Sequence, residues 1–180
     1  MEAHYGHAMD MEWAKDGETD ELYLVQARPE TVVSTRRAGV IKAYKLKARG
    51  RSILVGSAIG EAIAAGEALV IRSVDDIGRF RDGAILVTEM TDPDWVPIMK
   101  KAAGIITDHG GTTSHAAIVS RELGVPAIVG TGHGTRTLRD GQELTISCAE
   151  GEQGVVYEGI LPYEVEEVNL DAIPLTRTRM

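Results

Sequence analysis

Asp108-His109-Gly110-Gly111-Thr112-Thr113-Ser114-His115-Ala116-Ala117, continued by Ile118-Val119-Ser120-Arg121-Glu122-Leu123 and closed by Gly124-Val125-Pro126, decides how the rest of the chain is read. Just before it, Ile105-Ile106-Thr107 has the β-branched character of a strand. Gly110-Gly111 frees the backbone for a tight turn and lets another group come close. Thr113 or Ser114 serves as N-cap, and residues 116–123 continue with helix-compatible side chains. Gly124 and then Pro126 supply the stop. The order is strand, turn, helix, with His115 in the first helical turn. There it lies beside N–H groups that the helix cannot satisfy internally, at the positive end of the macrodipole.

A neutral imidazole is a nucleophile toward phosphorus, and the phosphoryl group it receives brings negative charge. Amides at the helix start, the turn residues Gly110 and Gly111, and the hydroxyls of Thr112, Thr113 and Ser114 are placed to hold that charge. The dipole contributes ~0.3–1 kcal/mol, or ~2 kcal/mol when partly buried. Only the neutral ring offers the lone pair that such an attack needs. Spacing alone explains anion binding, not phosphotransfer. A histidine that only hydrogen-bonds locally stays open beside a catalytic one.

Residues 110–130, from Gly110-Gly111-Thr112-Thr113-Ser114-His115 through Arg121-Glu122-Leu123-Gly124-Val125-Pro126-Ala127-Ile128-Val129-Gly130, closely resemble the phosphohistidine signature of the PEP-utilising enzymes. The resemblance implies an α/β fold, the swivelling β/β/α phosphohistidine domain, with His115 carrying a phosphoryl group between two remote active sites. It also implies that Thr113 matches a threonine phosphorylated by a regulatory kinase, where a second anion would repel the phosphoryl on His115. Plain helix capping by Thr113 is the alternative.

Two N-terminal segments, residues 10–17 and 25–31, resemble the closing strands of the family's ATP-grasp domain. On that resemblance Glu12 helps bind Mg²⁺ with ATP, and Gln26 and Arg28 sit near the ATP phosphates. Carboxylates hold Mg²⁺ and an arginine fork clamps phosphate, so the chemistry agrees. The C-terminal residues 174–180 resemble the entry to a pyruvate-binding TIM barrel. The expected organisation is an ATP-grasp tail over residues 1–33, a hinge linker over 34–44, the carrier domain over 45–162, and a linker over 163–180. The chain then reads as a fragment, inactive alone, whose partners are the ATP-grasp domain and the barrel of the same polypeptide.

The reaction so implied turns ATP, pyruvate and water into AMP, phosphoenolpyruvate and phosphate. Its alternatives are inorganic phosphate as second acceptor, an antibiotic phosphotransferase, or a non-catalytic phosphocarrier module.

The bulk numbers agree with a globular enzyme domain. In 180 residues, 43% are hydrophobic and 4% aromatic, which predicts an aliphatic core. A net charge of −8 argues against a nucleic-acid partner. The lone cysteine, Cys148, excludes an internal disulfide framework and reads as a buried thiol in a reducing, cytoplasmic compartment. No apolar run approaches the ~20 residues of a membrane span. His109, His115 and His133 match no usual zinc-ligand spacing, so no zinc is expected there.

Elsewhere the pattern predicts a hairpin around residues 15–20 and strands over residues 53–55, 68–71, 85–88, 104–107, 127–129, 143–148 and 154–157. Residues 56–60 and 64–66 read as small-residue turns, and residues 73–80 as a short surface helix. Thr91-Asp92-Pro93-Asp94-Trp95 signals a helix start running to about Ala102, with Trp95 packing on the core. Residues 29–49 read as a basic connector, and Glu164-Val165-Glu166-Glu167 as an acidic solvated stretch.

Overall fold

Asp16 explains why the N-terminal strands meet. Its carboxylate accepts the backbone N–H groups of Glu18 and Thr19, both at 2.8 Å, which closes the turn and holds its own pKa below the usual carboxylate value. Strands β1 (Met9–Lys15) and β2 (Leu22–Pro29) flank it as an antiparallel hairpin. The register passes from Glu12↔Gln26 to Trp13↔Leu24, so Val25 is the extra residue of a bulge. Met11, Trp13, Leu22 and Leu24 are all exposed, as in a hairpin lacking the rest of a core.

This computed structural model describes residues 9–29 and 40–169, together with His4 and Gly6. The chain divides into Met1–Ala38 and Gly39–Met180. The second unit contains β3 (Val40–Leu46), β4 (Ser52–Ile59), β5 (Ile63–Val70), β6 (Ile85–Thr88), β7 (Gly104–Thr107), β8 (Ala127–Val129), β9 (Glu143–Ser147), β10 (Gln153–Glu158) and β11 (Tyr163–Asn169). Helices α1 (Val96–Met99), α2 (His115–Leu123) and α3 (Gly134–Thr137) lie between them, with 3-10 turns at Val74–Arg79 and Pro93–Trp95.

Seven strands close a barrel in the order β10-β4-β8-β7-β6-β5-β9. Strands β5 to β8 are successively parallel, and the remaining pairings are antiparallel. Parallel strands covered on both faces read as unbroken apolar runs, as β6, β7 and β8 do. Alternate residues serve different layers. Ile85, Val87, Ile106 and Ile128 fill the barrel with Leu54, Leu144, Ile146 and Val156. Leu86, Ile105, Ala127 and Val129 face outward and pack with Trp95, Met99, Ala116 and Ala117. The unit is thus a mixed sheet-and-helix domain with an aliphatic core.

Residues 56–60 and 64–66, expected to be turns, lie largely inside β4 and β5. Their small side chains serve close packing: a Cβ on Gly56 would sit 2.6 Å from the Val129 carbonyl oxygen. The chain reverses between the two strands, at residues 60–62.

The basic connector and the acidic stretch are also strands. From Lys42↔Glu167 to Leu46↔Tyr163, β3 and β11 pair antiparallel as a separate ribbon. Lys42 meets Glu167 at 3.3 Å, and Lys47 pairs with Glu164. Of the expected hinge over 34–44, residues 34–39 lie outside the described residues and 40–44 belong to β3.

Residues 73–80 and 91–102 form shorter helices than the sequence suggests, beginning as 3-10 turns capped by Ser73 and Asp92. Trp95 is buried. Cys148 lies just past β9, where its thiol donates to the Ala127 carbonyl at 3.3 Å and burial pushes its pKa up to about 11.

Candidate functional site

The carboxyl ends of β6, β7 and β8 lie side by side, and the loops that leave them build the site, as is usual for open or closed parallel sheets. Pairing continues past the strand ends: Asp108 N–H donates to Thr88 O at 3.1 Å and His109 N–H to Glu89 O at 2.9 Å. The Thr107 hydroxyl then donates to His109 O at 2.8 Å. This brings the segment 89–91 beside the loop 108–114.

Helix α2 begins at His115, capped by Ser114, whose hydroxyl accepts from Ala117 N–H at 3.4 Å. Of the two candidate caps, Ser114 is the one used; Thr112 and Thr113 are exposed, as are Gly110 and Gly111. The amides of His115 and Ala116 fall where a helix has no internal acceptor for them. Arg121 reaches back from the far end of α2 and donates to Thr112 O at 2.8 Å, which secures the loop from outside.

His115 is half-buried. Its Nδ1 lies 2.9 Å from the hydroxyl of Thr91, a buried residue after β6. Nε2 makes no hydrogen bond among the described residues. Thr91 had been legible only as a helix-start residue. Asp92 performs that capping, accepting from Asp94 N–H at 2.9 Å, while Thr91 serves the imidazole.

Asp108 is the other residue that spacing did not mark. Its buried carboxylate accepts from the Thr135 amide at 3.0 Å and from the Thr135 hydroxyl at 2.5 Å. An aspartate ahead of two glycines reads as an ordinary turn residue, and only the return of residues 131–135 encloses it. His109 and His133 are exposed on these same loops. Among the described residues no group of three or more His, Cys, Asp or Glu is placed to hold a metal ion.

In the N-terminal unit, Glu12 and Gln26 are direct cross-strand partners and both are exposed. Arg28 pairs with Asp10 in the same ladder, but its side chain lies outside the described residues.

A barrel whose parallel-strand loops present a capped helix-start histidine defines a class. Residues 80–151 match the family model of the PEP-utilising enzyme mobile domain, and residues 1–48 that of the pyruvate phosphate dikinase AMP/ATP-binding domain. The chain belongs to the PEP-utilising enzyme family.

Within that family its similarity is to phosphoenolpyruvate synthases. It is 52% identical over 191 aligned residues to that of Aquifex aeolicus, covering 100% of this chain and 22% of that protein. It is 54% identical to that of Synechocystis sp., covering 96% and 21%, and 51% identical to that of Escherichia coli, covering 97% and 22%. The chain spans about a fifth of the length of the curated relatives it matches. No helix among the described residues is long and apolar enough to cross a membrane.

Proposed function

We propose that this chain is the phosphoryl-carrier portion of a phosphoenolpyruvate synthase, with His115 taking up the phosphoryl group. One observation carries the proposal: Thr91 engages Nδ1 at 2.9 Å, leaving Nε2 free at a helix start. With Nδ1–H donating to the Thr91 oxygen, the lone pair resides on Nε2, in the neutral tautomer that a nucleophile requires.

In the proposed sequence Nε2 attacks the β-phosphorus of ATP. The N–P bond forms as the bond from that phosphorus to the AMP oxygen breaks. Water next removes the terminal phosphate, leaving one phosphoryl on Nε2. The enolate oxygen of pyruvate takes that phosphoryl, the N–P bond breaks, and neutral His115 returns. The free amides at the start of α2, the Gly110-Gly111 turn, and the hydroxyls of Thr112 and Thr113 stabilise the bound anion, with Ser114 holding the helix start in place.

Gln26 and Arg28 are assigned to the ATP phosphates. Glu12 fits as a ligand for Mg²⁺, because an ion held by one or two carboxylates together with phosphate oxygens needs an exposed carboxylate near the nucleotide. When bound, Mg²⁺ supplies charge neutralisation for phosphoryl transfer.

The swivelling movement belongs to the same proposal, with the carrier over residues 45–162 moving between an ATP-grasp domain and a pyruvate-binding barrel. The greater length of the relatives supports those two partners. Thr113, exposed beside His115, is proposed as the target of a regulatory kinase. A cytoplasmic setting is proposed too, supported by the lone, buried thiol of Cys148.

The test is to incubate the full-length protein with phosphoenolpyruvate carrying labelled phosphorus and to map the label. Acid-labile, base-stable label at His115, absent after His115→Ala, supports the carrier role. Label on another residue defeats it.

A further inference from the structure

Resting on His115 as phosphoacceptor, the contacts around Asp108 carry a further step. This carboxylate is 5% exposed. An ionised carboxylate is costly to bury unless its lone pairs are taken up. Among the described residues its donors come from one returning segment: the Thr135 amide and hydroxyl, with the Thr131 hydroxyl, which donates to Thr107 O at 3.0 Å, also within 3.4 Å. The backbone reinforces them, since the Asp108 carbonyl accepts from Gly132 N–H at 2.9 Å. Asp108 thus draws residues 131–135 against the end of β7.

That segment backs the phosphoacceptor turn. Gly130 has a φ of +74°, and a Cβ there would lie 2.6 Å from the Gly110 carbonyl oxygen. Gly110 in turn has a φ of +111°, and a Cβ there would lie 2.8 Å from the Ser114 hydroxyl. Ser114 caps α2, whose first residue is His115. The chain of close approaches therefore runs from Asp108 through the 131–135 segment, Gly130 and Gly110 to Ser114, next to the imidazole. We infer that Asp108 is a positioning residue, whose hydrogen bonds with Thr135 and with the Gly132 amide hold Gly130 against the Gly110 turn and so set where α2 starts and where Nε2 points.

The experiment uses the full-length protein and single-turnover labelling of His115 by labelled phosphoenolpyruvate. Asp108→Asn keeps the shape and removes the charge; Thr135→Val keeps the shape and removes the donor at 2.5 Å. Both variants should lower the labelling rate at saturating phosphoenolpyruvate by about tenfold, while the half-saturating concentration stays within about twofold. Thr135→Ser, which restores the hydroxyl, should return the rate to near the parent's. If Asp108→Asn melts below the assay temperature, Thr135→Val and its serine rescue decide alone.

Labelling rates within about twofold of the parent's for both variants overturn the role of Asp108. So does an unchanged rate with a raised half-saturating concentration. A parent protein that takes no label at His115 instead defeats the carrier reading itself, so the two failures are distinct.

Discussion

Thr91 and His115 are 24 residues apart in the chain, yet the Thr91 hydroxyl sits 2.9 Å from His115 Nδ1. Their meeting depends on β6 and β7 running parallel in register, Thr88 beside Thr107, so that the loops leaving both strands emerge at one end. A hydroxyl both donates and accepts, so Thr91 is compatible with either neutral tautomer. An acceptor role for Thr91 is the one that leaves Nε2 nucleophilic.

Replacing Thr91 by valine keeps the side-chain shape and removes that control. Loss of one such hydrogen bond costs about 0.5–1.5 kcal/mol of stability, so the fold should persist. Labelling of His115 should slow by about tenfold, because the imidazole loses its orientation. Imidazole ¹⁵N shifts should move from a single tautomer to a mixture. A variant that labels as fast as the parent removes Thr91 from the mechanism.

Gly56→Ala tests the packing of β4 on β8. Its new methyl would meet the Val129 carbonyl at 2.6 Å and an Ile128 methyl at 2.9 Å, and backbone cannot move aside as a flexible side chain can. Overpacking of this kind should destabilise by about 1–3 kcal/mol, read as a lower urea midpoint. An unaltered midpoint would contradict the pairing of Ser57 with Val129.

Ala43 and Glu166 lie directly opposite each other in the ribbon. Cysteines at both positions should form a disulfide under mild oxidation, since facing residues in an antiparallel pair have Cα atoms about 4.5–5.5 Å apart, within the span of about 4.4–6.8 Å that a disulfide bridges. Closing so long a loop should raise stability by about 2–4 kcal/mol, measured against the reduced protein. The exposed pairs Lys42–Glu167 and Lys47–Glu164 contribute little beside this, about 0–1 kcal/mol each. Cysteines that stay reduced would place the two strands apart in solution.

Cys148 predicts a specific loss of stability in alkali. Burial pushes its thiol from the ordinary 9.0 up to about 11. The folded protein therefore holds this proton after the unfolded chain has released it. Its contribution is complete below about pH 9 and is lost as pH rises from about 9 toward about 11, by roughly 3 kcal/mol at most. Parent protein should lose more stability across that window than Cys148→Ala, compared by urea unfolding at each pH. Equal losses would show that this thiol is not sequestered.

Where signals were local, the chain could be read directly. A hydroxyl cap, helix-forming residues and a closing Gly124 marked α2 to within a residue, because capping and propensity act over a single turn. The apolar runs of β6, β7 and β8 were equally plain, since burial on both faces removes alternation. Gly56 misled because a glycine within a strand resembles a turn until the neighbouring carbonyl it admits is known. Lys45 and Glu164 each looked solvated, although they face each other across the ribbon. Their opposite charges were the available sign, but charge alone does not pick a partner across so much intervening chain.

The amino-acid sequence by itself determined a histidine at a helix start and the strands that lead to it, because those depend on residues a few positions apart. Tertiary pairing decided that Thr91 would hold the imidazole, that Asp108 would be buried under Thr131 and Thr135, and that β3 would find β11. These contacts join segments far apart in the chain, and no local preference encodes them. They form only when strands remote in sequence pair and bring those segments together.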